Sequence, residues 1–70
     1  MDSRQFDEMR ERLAALQRDI ENYLRELEAI QRDYTNRTTT AADCARRTAT
    51  ANQGLDAARE EAGRLKRRMS

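Results

Sequence analysis

The chain has 70 residues, of which 39% are charged and 4% aromatic, with a net charge of +1 and no histidine. A chain this short buries little of its surface and is marginal alone. The single cysteine excludes an internal disulfide, and the absence of histidine removes the ordinary general base and the imidazole metal ligand.

From the start, the large apolar residues are Phe6, Met9, Leu13, Leu16, Ile20, Tyr23, Leu27, Ile30 and Tyr34. Their spacings alternate between three and four, the signature of a coiled-coil seam. Most other positions hold Arg, Glu, Gln, Asp and Ala, and no period-two pattern competes. The spacing predicts a first helix over about 3–34, with Asp2 or Ser3 as N-cap. Asp7 and Glu8 sit near its positive end. Glu8–Arg12, Glu21–Arg25 and Glu28–Arg32 are placed for acid-first i,i+4 pairs.

Next comes Thr35-Asn-Arg-Thr-Thr-Thr40, rich in poor helix formers. Asn36 is expected to take a left-handed conformation and end the helix after Tyr34. Thr40-Ala-Ala-Asp43 then reads as a helix start. The expected loop, about 35–40, suits antiparallel neighbours. The competing reading is one uninterrupted parallel coiled-coil rod, roughly 100 Å long.

A second helix is expected over about 41–68. Its seam positions are Cys44, Thr48, Ala51, Leu55, Ala58, Ala62, Leu65 and Met69. They are mostly small where the first helix is mostly large. A hairpin pairs Tyr34 with Cys44, Ile30 with Thr48, Leu27 with Ala51 and Tyr23 with Leu55. It then pairs Ile20 with Ala58, Leu16 with Ala62, Leu13 with Leu65 and Met9 with Met69, a register the pattern sets to within one heptad. Large against small lets two helices approach closely. Residues 1–35 carry nine acids and six bases, and residues 36–70 carry four acids and eight bases, so the two arms also attract. Gly54 is expected to mark a kink or a close contact.

The fold class is therefore all-α: one domain over 1–70, a two-helix antiparallel coiled-coil hairpin. Self-association into a four-helix assembly, or a partner helix, is expected to complete it. A two-helix hairpin has no interior large enough for an active site, so no catalytic residue, cofactor site or metal site is assigned. No small-molecule substrate is expected. Cys44 lacks a histidine to activate it and reads as a packed thiol. Asn36-Arg37-Thr38 matches a glycosylation pattern, taken as coincidence because no secretory signal is apparent.

The expected role is protein–protein interaction or oligomerisation, with Phe6, Leu24 and Tyr34 as candidate partner surface. The alternatives are the oligomerisation rod and a small nucleic-acid-binding protein. The latter would contact phosphates through Arg46, Arg47, Arg59, Arg64, Lys66, Arg67 and Arg68. No stretch is apolar enough to span a membrane. A lone unpaired cysteine suits an intracellular, reducing compartment.

Overall fold

The computed structural model describes residues 2–70. Two α-helices, α1 (Ser3–Thr35) and α2 (Ala41–Met69), pack against each other along their length as an antiparallel hairpin. The molecule measures 53 × 14 × 13 Å. That is one arm's length, about half that of the continuous rod, which the hairpin therefore replaces.

Each helix begins at a side chain that satisfies an orphan amide. Asp2 holds an extended backbone, and its carboxylate accepts from the Gln5 N–H at 2.9 Å. Thr40 does the same for α2, its hydroxyl oxygen accepting from the Asp43 N–H at 3.1 Å. Such caps are worth about 1 kcal/mol each. Lys66, Arg67 and Arg68 occupy the last turn of α2, beside the negative end of its dipole.

The turn differs from expectation in one respect. Helix α1 runs through Thr35, and Asn36 caps it in the right-handed region at φ −82°. The left-handed residue is Arg37, at φ 60°. The Arg37 N–H donates to the Tyr34 carbonyl at 3.1 Å, and the Thr38 N–H reaches back to the Asp33 carbonyl at 2.9 Å. The Thr38 hydroxyl adds a second bond to that carbonyl at 3.1 Å. These two backbone bonds form the Schellman closure, in which the left-handed position follows the cap residue. Asparagine tolerates that conformation better than arginine. Hydrogen bonding decides the matter, because shifting the left-handed residue to 36 would break both closing bonds.

The core is a strip along the seam. Leu16 and Ile30 of α1 are buried, as are Ala51, Leu55, Ala58, Ala62 and Leu65 of α2. Leu16, Ala58, Ala62 and Leu65 form one cluster, with Met9, Leu13, Ile20 and Tyr23 packed on it. Bulky side chains from α1 thus cover alanines of α2. Phe6 and Tyr34, at the two ends of the α1 seam, remain 37% and 51% exposed.

Gly54 shows how close the helices come. Helix α2 passes through it without a break. The Tyr23 ring fills the space a side chain would need: Cε1 and Oη lie 2.5 and 2.6 Å from the ideal Cβ position. Gly54 is thus a close contact and not a kink. Gly63, by contrast, faces open space.

Two predictions follow from these backbone positions. Arg37→Gly removes about 1 kcal/mol of left-handed strain. At fixed protein concentration it should raise the melting temperature by roughly 4–8 °C; an unchanged or lower value would refute the strain. Gly63→Ala should stabilise by about 1 kcal/mol, the helix-propensity difference. Gly54→Ala should destabilise despite the same propensity gain, and should turn stabilising in a Tyr23→Ala background. Denaturant titration of the four chains in that cycle checks the coupling.

Candidate interaction surface

Counting heptads continuously from Phe6 as position a explains the two flanks of the hairpin. Column a of α1 holds Phe6, Leu13, Ile20, Leu27 and Tyr34, and column d holds Met9, Leu16, Tyr23 and Ile30. The two fully buried residues of α1, Leu16 and Ile30, are both in d; Met9 and Tyr23 in d and Leu13, Ile20 and Leu27 in a are half-buried, and Phe6 and Tyr34 in a are exposed. The α1 seam is rotated so that d faces α2 squarely and a lies toward one side.

The other side is bridged by ions. Arg12 grips Glu61, its Nη2 donating to Oε2 at 2.8 Å and to Oε1 at 3.1 Å, with Nε to Oε1 at 3.3 Å. Arg47 donates to Asp33 at 3.1 Å and to Glu26 at 3.3 Å. All five residues occupy column g, as does Gly54. In antiparallel helices, like flanks face each other, so one column supplies both halves of each bridge. Arg47 titrates above its ordinary value, chiefly through the Asp33 hydrogen bond and then the Glu26 one. It therefore stays cationic at any physiological pH.

These bridges revise the sequence picture of local pairing. Glu21–Arg25 closes at 4.0 Å, as its spacing suggests. Arg12 leaves Glu8 and crosses to Glu61, while Glu8 pairs backward with Arg4 at 3.8 Å. Among the described residues, Glu28 and Arg32 form no ion pair. The arms' charge asymmetry is also only half expressed. Arg47 follows it, but in the Arg12–Glu61 bridge α1 supplies the base.

The opposite flank, column e, carries Arg10, Gln17, Leu24 and Gln31 from α1 and Ala45, Asn52, Arg59 and Lys66 from α2. Among the described residues, no ion pair crosses it. Leu24 is 41% exposed there, beside the half-buried a column. Near the turn, Leu27, Ile30, Gln31, Tyr34, Cys44 and Thr48 line an open cleft of about 260 Å³. The Cys44 thiol is free and half-buried at its edge. At the far end, the Arg10 guanidinium lies over the Phe6 ring, 6.0 Å from its centre. Phe6, Leu24 and Tyr34 thus share one side of α1, spread along most of its length.

The basic residues are more scattered. Arg46 is tied to Asp43 at 2.6 Å, Arg64 to Glu60 at 3.6 Å, and Arg47 to the two acids of α1. Arg59, Lys66, Arg67 and Arg68 are exposed; Arg59 and Lys66 share column e, but Arg67 and Arg68 lie in f and g, so the four make no single stripe. Among the described residues, no group of three or more acidic, cysteine or histidine side chains gathers where a metal ion would sit. No helix is long and apolar enough to cross a membrane. The chain matches no known family model, curated protein or solved structure.

If Arg47 holds the turn half of the hairpin shut by charge, salt should weaken its effect. Arg47→Met is expected to lower the melting temperature more at low ionic strength than in molar salt. An equal loss in both would assign Arg47 a packing role instead.

Proposed function

We propose that this protein is a structural interaction module, a helical hairpin that works by associating with a second copy of itself. The observation that carries this reading is the uncovered apolar flank of α1. On the ion-bridged flank, Arg12, Glu26, Asp33, Arg47 and Glu61 are matched within the chain. The e flank leaves Phe6, Leu24 and Tyr34 exposed and Leu13, Ile20 and Leu27 half-covered.

Surface area supports the same reading. The hairpin exposes 5492 Å². A compact monomer of its mass would expose about 4,500 Å². The excess, on the order of 1,000 Å², is close to the ~800 Å² each partner contributes to a standard stable interface. Its radius of gyration, 15.9 Å, compares with about 11 Å for a globular chain of this length. A strip of seven buried residues is a small core for the described chain. Burying the flank would supply what the lone hairpin lacks.

Sedimentation tests the proposal. The native chain should associate in the micromolar range. Leu24→Glu combined with Tyr34→Glu should shift it to monomer, since each places a charge where association would desolvate it. Because both positions are exposed, helical content at low temperature should persist. A native chain that stays monomeric and melts cooperatively would contradict the proposal, as would an unchanged mass in the double variant.

A further inference from the structure

Column a of α1, half-buried in its middle and exposed at its ends, reads Phe6, Leu13, Ile20, Leu27, Tyr34: aromatic, leucine, isoleucine, leucine, aromatic. Reversed, it reads the same in kind. Ile20 is its midpoint, and the two aromatics lie about 21 Å to either side along the axis. An interface between identical surfaces related by a two-fold axis requires this self-complementarity.

The charges beside the column distinguish the two orientations. In columns e and b, Arg10 precedes Ile20 together with one acid, Asp7, and Glu21 and Glu28 follow it. Among the described residues, Arg10 and Glu28 form no ion pair, and Glu21 makes only the 4.0 Å contact with Arg25. Reversal about Ile20 brings Arg10 opposite the partner's Glu28. A parallel pairing in register would set Arg10 on Arg10 and Glu28 on Glu28, which like-charge repulsion opposes.

We propose that two hairpins join α1 to α1, antiparallel, about a two-fold axis at Ile20. Phe6 of each copy then packs on Tyr34 of the other, with Leu24 one turn from the axis. The α1 pair forms the centre of a four-helix assembly and the α2 helices its outer sides. This geometry rests on the self-association reading and adds orientation and register to it.

Cross-linking in a Cys44→Ser background tests the geometry, using a short bismaleimide after sedimentation has given the mass. Phe6→Cys mixed with Tyr34→Cys should give a cross-linked mixed dimer, and neither variant should cross-link efficiently to itself. Ile20→Cys alone should cross-link, as should Gln17→Cys, an exposed position that leaves the seam intact. A dimer in which Phe6→Cys and Tyr34→Cys each link to themselves would overturn the antiparallel arrangement while leaving self-association standing. A monomeric mass would overturn both. Charge exchange gives a second reading at exposed positions. Arg10→Glu and Glu28→Arg should each raise the dimer dissociation constant several-fold, and the two together should restore it. Within one chain these residues are about 27 Å apart, so restoration requires contact between copies. Additive weakening would refute the proposed register.

Discussion

Everything in this fold depends on a difference in side-chain size between two arms of one chain. Leucines, isoleucines and tyrosines of α1 lie over alanines and a glycine of α2. With small side chains on one partner, the helix axes can approach closely, and the bulk of the other fills the remaining space. Tyr23 over Gly54 is the tightest example, since any side chain at Gly54 would meet the ring. Leu16 with Ala58 and Ala62 forms the best-buried cluster. Two arms of equal bulk would stand farther apart, and two small arms would bury too little to offset the entropy of ordering them.

The asymmetry of the flanks follows from that seam. Because α1 presents column d squarely to α2, column g of each helix comes within ion-pair reach of the other. Arg12–Glu61 and Arg47 with its two acids close that side. Such exposed bridges contribute modestly, and they matter more for fixing which flank is closed. The rotation that closes one side opens the other, leaving the apolar a column half-covered. The candidate interaction surface is thus a by-product of how the hairpin shuts. Its neighbours Gln17, Gln31 and Asn52 around Leu24 are uncharged, and the bases of that flank, Arg10, Arg59 and Lys66, lie toward the end away from the turn.

Much of this is legible before any coordinates. The alternation of spacings marks α1, and the threonine cluster followed by Thr40 and Asp43 marks the turn and the second start. What escapes a reading of the sequence depends on contacts between arms. Local spacing joins Arg12 to Glu8, and only the folded hairpin shows Glu61 within reach. The column shared by Arg12, Glu26, Asp33, Arg47 and Glu61 is a signal that was available, but it acquires meaning only once the arms are known to be antiparallel. Arg37 in the left-handed position was hidden for another reason. Intrinsic preference favours Asn36, yet closure of the turn requires the left-handed residue one place later. Phe6 and Tyr34 fit the seam by period but sit at its ends, where their exposure shows that α2 covers them poorly.

The most direct test of the size relation is Ala58→Leu. Ala58 is 7% exposed and belongs to the central cluster. If bulk on one arm is fitted to its absence on the other, added methylenes must push the helices apart, at a cost of about 1–3 kcal/mol. The account predicts a lower melting temperature at matched protein concentration. A higher one would mean that the seam has room to spare, as loosely apposed helices or a different pairing of the arms would, and would contradict the account.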